Sequence, residues 1–216
     1  VSTEPRPPAA AAELPEPSPW NVPNALTVLR ILLVPVFVWL VLRHGGDETA
    51  SRWWAFLVFA IAIITDRIDG DLARAKGLVT TFGKVADPIA DKALTGAGFI
   101  TLSMIGQIPW WITVVILARE IGITAMRFWV IRHGVMPASR GGKIKTFLQA
   151  LAIGLFVMPL ASLPVELLWR GIAWAILIGA LLVTIATAVD YVMKALTLRS
   201  TSERARTKQD RREGRG

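Results

Sequence analysis

Apolar residues in this chain come in long blocks, not in alternation. Six stretches, at about residues 24–43, 52–75, 83–106, 109–133, 143–163 and 169–198, are each long enough to cross roughly 30 Å of hydrocarbon at about 1.5 Å per residue. Backbone in lipid must satisfy its own hydrogen bonds, which favours helices over an open sheet. The pattern therefore predicts an all-α, polytopic membrane protein with six transmembrane helices, occupying residues 20–198 as one domain. Gly45–Asp47, Gly106–Pro109, Arg140–Gly142 and Ser162–Pro164 punctuate the blocks. Asn24 is placed to cap the first helix, and Pro35 inside it predicts a kink. Residues 1–19 are rich in Ala, Pro and Glu without an apolar period, and read as a disordered tail. They have neither the basic start nor the apolar run of a secretory signal. Residues 199–216 read as a basic tail. No internal repeat is visible, so a transporter built from repeated halves gains no support.

Polar positions interrupt this pattern in one place. The apolar run Trp53–Thr65 gives way to Asp66-Arg67-Ile68-Asp69, and the next stretch opens with Asp87 and Asp91 before turning apolar. Asp66 lies 13 residues beyond Trp53, about 20 Å of helix rise, which puts it near one polar boundary of the bilayer. The following helix runs back, so all four carboxylates share a depth. At about 100° per residue, Asp69, Gly70 and Ala73 fall within about 60° of Asp66, and Arg74 about 80° round the same side. Gly83, Asp87 and Asp91 advance by only about 40° per step. Asp71 falls about 140° away and reads as a solvated or structural charge.

Carboxylates are costly near a bilayer and are normally kept for a function. Four that face each other repel unless cations sit between them. Two divalent ions bridging Asp66, Asp69, Asp87 and Asp91 would clamp a diphosphate. Gly70 and Ala73 leave room for a ligand, and the Arg74 fork suits phosphate oxygens. The competing reading is a charged helix end held by salt bridges. It accounts for one Asp more easily than for two matched strips.

Composition narrows the chemistry. Of the 216 residues 53% are hydrophobic, and none is Cys, which excludes disulfides and thiolate chemistry. Only His44 and His133 are available, so oxygen ligands remain, and these favour Mg2+ or Mn2+. The net charge of +8 is unevenly spread. Arg199–Gly216 holds seven Arg/Lys against three Asp/Glu, and further cations, Arg74, Lys76, Lys84, Arg132, Arg140, Lys143 and Lys145, fall in alternate turns. The positive-inside rule then places both termini and the acidic motif in the cytoplasm. The expected location is a bacterial plasma membrane. Beside six spans, the basic tail reads as a contact for anionic lipid and not as a nucleic-acid arm.

The spacing D-x-x-D-G-x-x-A-R-x8-G-x3-D-x3-D, carried by Asp66, Asp69, Gly70, Ala73, Arg74, Gly83, Asp87 and Asp91, resembles the signature of the CDP-alcohol phosphotransferase family. The resemblance implies a six-helix membrane enzyme, usually a homodimer. Such an enzyme moves a phosphatidyl or related group from a CDP-linked lipid to an alcohol and releases CMP. It implies that Asp66, Asp69 and Asp87 bind the metals with Asp91 near them, and that Asp91 is the base for the acceptor hydroxyl. It also implies that Gly70, Ala73 and Arg74 line the cytidine diphosphate site. Asn24, Thr27 and Arg30 are within reach of that site or of the metals. Asn24 reads equally as a helix cap, and Thr80 as a nucleotide contact or a solvated turn residue.

The signature leaves the acceptor open. Asn21–Arg30, Ala118–Ile121 with Arg127, Gly142–Thr146 and Ala86–Lys92 resemble the family members whose acceptor is sn-glycerol 3-phosphate and whose donor is CDP-diacylglycerol. Arg119 lies nine residues beyond Trp110, about 14 Å into the membrane, where a cation is expected to face a polar cavity or a partner. Arg127 lies about 80° from it, and Lys143 and Lys145 arrive from the next helix. Such a cluster suits an acceptor carrying its own phosphate. The alternative is that Arg119 pairs with Glu120 and the lysines only orient the protein. Inositol phosphate and phosphatidylglycerol are the competing acceptors. A divalent-cation transporter is the competing class, although it would spread its acids across the membrane depth. Trp53, Trp54, Trp110, Trp111 and Trp169 read as interfacial belts, and Gly96 and Gly98 as sites of close helix packing.

Overall fold

The computed structural model describes residues 18, 21–75, 78, 80–131 and 141–213. These residues form six α-helices and no strand: α1 Val22–Leu42, α2 Thr49–Ala75, α3 Thr81–Met104, α4 Trp110–Ile131, α5 Gly141–Val157 and α6 Glu166–Glu213. Short 3₁₀ turns at Arg43–Gly46 and Leu160–Ser162 join α1 to α2 and α5 to α6. The all-α expectation holds. Two described stretches, Val22–Gly46 and Glu166–Met193, are long and apolar enough to cross a membrane. α6 continues unbroken past residue 198 to Glu213. Most of the N-terminal tail, residues 1–17, lies outside the described residues, as do residues 132–140.

Two helix ends differ from expectation for clear reasons. Asn21, not Asn24, caps α1: its side chain accepts from the Asn24 N–H at 2.9 Å. Pro23 occupies the first turn, where its missing N–H costs nothing, and this puts the cap ahead of it. α5 ends at Val157, short of residue 163, because Pro159 cannot continue the helix.

α1 packs most closely against α2 and α3, and α5 against α6. The apolar core is built from Phe37 and Val41 of α1, Phe59 of α2, Phe99 and Leu102 of α3, Ile112 and Ile116 of α4, Ile153 and Phe156 of α5, and Leu177 of α6. Phe37 and Phe59 meet with ring centroids 5.5 Å apart. Gly98 is what lets α3 approach α5: a Cβ there would lie 2.8 Å from Ile153. Gly96 has only an ordinary contact, 3.6 Å from Leu117 to where a Cβ would stand.

Arg52, near the start of α2, is buried. Its guanidinium donates to four backbone carbonyls: Phe156 at 2.5 Å, Val157 at 2.8 Å, Gly46 at 3.0 Å and Met158 at 3.3 Å. The last carbonyls of a helix have no partner of their own, and a cation there also opposes the helix dipole. Arg52 therefore ties the end of α5 to the α1–α2 turn. Arg52→Ala is expected to cost about 3 kcal/mol, since several buried acceptors lose a charged donor at once. Thermal unfolding in detergent would register this as a clear fall in midpoint, and an unchanged midpoint would remove Arg52 from this role.

Candidate active site

Antiparallel connection brings the polar residues to one end of the bundle. α1, α3 and α5 contribute residues of their N-terminal halves, α2 residues of its second half, and α4 and α6 residues near their middles. α1 supplies a buried ladder of Asn24, Thr27 and Arg30, spaced by about 4.5 Å of rise. Each rung meets a different part of the acidic motif.

At the first rung, Asn24 Nδ2 donates to Thr80 Oγ1 at 2.9 Å. Thr80 Oγ1 also accepts from Gly83 N at 3.0 Å, which makes Thr80 the N-cap of α3. Gly83 is required by this contact, because a Cβ there would stand 2.9 Å from Asn24 Oδ1. At the second rung, the Thr27 hydroxyl donates to Asp87 Oδ1 at 2.6 Å. At the third, Arg30 is 1% exposed, and its Nη2 donates to Asp69 Oδ2 at 2.5 Å. Its Nη1 lies 2.5 Å from Asp66 Oδ1 as an ion contact, but outside hydrogen-bonding geometry. Arg30 Nε likewise has no acceptor among the described residues.

The four carboxylates share one electrostatic neighbourhood. Asp69 is acted on by Arg30, Asp66 and Asp87, and Asp91 by Asp66, Lys145, Arg30 and Glu120. Asp69 is buried, while the Asp66 side chain is 43% exposed. Asp87, Asp91 and Gly70 are half-buried.

A second cluster adjoins through Asp91. Glu120 Oε1 accepts from Lys145 Nζ at 2.5 Å and from Arg119 Nη1 at 3.1 Å. Arg119 Nη2 donates to Thr187 Oγ1 of α6 at 2.9 Å. Arg119 therefore pairs with Glu120, as one reading of the sequence expected, and shares that carboxylate with the buried Lys145. Lys143 is exposed, unlike Lys145. The side chains of Ala73, Arg74 and Arg127 lie outside the described residues, although their backbone is helical.

Among the described residues no three acidic or histidine side chains converge closely enough to hold an ion as they stand. The oxygens are hard, however, and Asp66, Asp69, Asp87 and Asp91 with Arg30 sum to −3. Lys145 is shared with Glu120 and does not balance that sum. The set fits Mg2+ or Mn2+ in chemistry and charge, with Arg30 and Thr27 engaging the same carboxylates.

A family model described as CDP-alcohol phosphatidyltransferase matches residues 20–186, and the chain belongs to that family. It is 52% identical over 176 residues, 82% of each chain, to a probable phosphatidylglycerophosphate synthase of Mycobacterium tuberculosis. It is 36% identical over 185 residues to the CDP-diacylglycerol–glycerol-3-phosphate 3-phosphatidyltransferase of Bacillus subtilis, covering 81% of this chain and 95% of that one. A CMP-forming cardiolipin synthase of Streptomyces coelicolor is 33% identical over 161 residues, 71% of this chain and 75% of its own. Family membership replaces the transporter reading with that of a transferase.

Sequence reasoning placed Arg30 and Thr27 only loosely and gave Thr187 no role. The available signal was the ladder itself: Asn24, Thr27 and Arg30 recur every three residues in an otherwise apolar block. Gly83 and Asn24 give a direct check on the geometry. Gly83→Ala should push Asn24 off Thr80 and lower stability, while Gly83→Ala in an Asn24→Ala background should cost less. A double-mutant cycle on thermal or denaturant unfolding is expected to show coupling of about 1 kcal/mol. Strict additivity would mean that the two residues do not meet.

Proposed function

We propose that this protein transfers the phosphatidyl group of CDP-diacylglycerol to sn-glycerol 3-phosphate, giving phosphatidylglycerophosphate and CMP. The observation that carries the reading is the contact of two clusters. The acidic motif of α2 and α3 adjoins a cation pair, the half-buried Arg119 and the buried Lys145, with Asp91 between them. An acceptor with a phosphate at one end and a hydroxyl at the other is suited to span that junction. The Bacillus subtilis relative is named for this donor and acceptor, and the Mycobacterium tuberculosis relative for this product, which supports the reading.

In this scheme Asp91 takes the proton of the acceptor hydroxyl. The hydroxyl oxygen bonds to the phosphatidyl phosphorus, and the bond from that phosphorus to the bridging oxygen breaks. CMP leaves with the electron pair. Arg119 and Lys145 hold the acceptor phosphate, exchanging part of their contact with Glu120 for it. Arg127 and Lys143 are assigned to the outer part of the same subsite. Gly70, Ala73, Arg74, Thr80 and Asn24 line the place of the cytidine diphosphate. Mg2+ or Mn2+, as two ions on Asp66, Asp69, Asp87 and Asp91, would neutralise the diphosphate and stabilise the leaving CMP.

The setting belongs to the same reading. Six helices span the membrane, the termini and site face the cytoplasm of a bacterium, and the working unit is a homodimer in lipid. Trp53, Trp54, Trp110, Trp111 and Trp169, all at the starts of α2, α4 and α6 and all exposed, suit the opposite interface. Phosphatidylglycerol is a second acceptor to test, because the Streptomyces coelicolor relative carries the name cardiolipin synthase.

Purified protein with CDP-diacylglycerol and Mg2+ is expected to release CMP with glycerol 3-phosphate. CMP release confined to phosphatidylglycerol or inositol phosphate would overturn the acceptor assignment. Asp91→Asn is expected to lower turnover by about 10²-fold or more while CDP-lipid binding persists. Full turnover by that variant would remove Asp91 as the base.

A further inference from the structure

Arg30 has no part in the scheme above, yet it is among the most deeply buried side chains in the protein. Its position in an apolar block makes a lone charge costly there, so its partners explain its presence. Those partners are Asp66 and Asp69, the first two acids of the motif.

The pairing is close but incomplete. A guanidinium has five donors in a rigid fork that matches carboxylates when both sides are aligned. Here one nitrogen is well satisfied by Asp69. Another touches Asp66 without hydrogen-bonding geometry, and Nε has no acceptor among the described residues. A guanidinium that served only to hold the fold would be expected to have its donors met, as the carbonyls do for Arg52. The Arg30 contact is therefore held by charge more than by directed bonds. Asp66, its less aligned partner, is also the more exposed carboxylate, with 43% of its side chain open against 5% for Asp69. An ion entering from that side reaches oxygens that Arg30 already engages.

We propose that Arg30 is a built-in counter-cation of the acidic site, which stabilises the metal-free protein and competes with a divalent cation for Asp66 and Asp69. The proposal rests on the metal-binding part of the reading above. Two consequences have opposite signs. Removing the positive charge should destabilise the metal-free protein, because the carboxylates lose their nearest cation. It should also strengthen metal binding, because the competitor and its repulsion are gone. A residue that merely positions Asp69 as a ligand would give the reverse for the metal.

The test is Mn2+ binding to the full chain in detergent, without substrate, followed by electron paramagnetic resonance and by thermal unfolding with and without Mn2+. The wild-type protein is expected to bind Mn2+. Arg30→Gln is expected to bind it about tenfold more tightly, to melt lower without metal, and to gain more from Mn2+ than the wild type does. Arg30→Lys, which keeps the charge but cannot span both carboxylates, should fall between the two and serves if the Gln variant does not fold. Unchanged or weaker Mn2+ binding in the variants, with the wild type binding normally, would overturn the counter-cation role alone. No Mn2+ binding by the wild type would instead overturn the metal reading, and this proposal with it.

Discussion

Neutralising a group of carboxylates at one end of an apolar helical bundle is the constraint on which this structure depends. Asp66, Asp69, Asp87 and Asp91 cannot share a low-dielectric neighbourhood without positive charge or hydrogen-bond donors close by. α1 provides both. Arg30 faces Asp66 and Asp69, Thr27 faces Asp87, and Asn24 locks the start of α3 through Thr80. The close packing of α1 against α2 and α3 follows from this ladder as well as from Phe37 and Val41 deeper in the bundle. The first helix is thus as much a part of the site as the helices that carry the motif.

Arg30 and Arg52, buried at opposite ends of the bundle, make a useful comparison. Arg52 lies 14 residues before Asp66 on α2, about 21 Å away along the helix. Its partners are neutral carbonyls, and the arrangement closes a helix end. Arg30 meets formal negative charges with some of its donors unmet, and that arrangement leaves a site able to exchange partners. The same side chain does different work because of what surrounds it. Burial and charge alone, read from sequence, do not separate the two cases.

The cation cluster shows a similar dependence on context. Arg119 and Lys145 come from different helices, and Glu120 holds them side by side. Arg119 also reaches Thr187 on α6, so the second cluster joins α4, α5 and α6 as the ladder joins α1, α2 and α3. Asp91 lies where the two groups meet. Lys143, two residues from Lys145, is exposed, because neighbouring positions on a helix point in different directions.

What the sequence determined by itself was local and periodic. Blocks of apolar residues set the helices, glycine and proline set the breaks, and the spacing from Asp66 to Asp91 put the acids on matched faces of α2 and α3. Those features depend on near neighbours along the chain, so one dimension suffices to read them. Tertiary structure decided the partners. That Arg30 would meet Asp66 and Asp69, that Gly83 would give way to Asn24, and that Arg52 would cap α5 all depend on contacts across 36 to 106 positions of sequence. Helix periodicity fixes which face a residue occupies, but only packing fixes what that face touches.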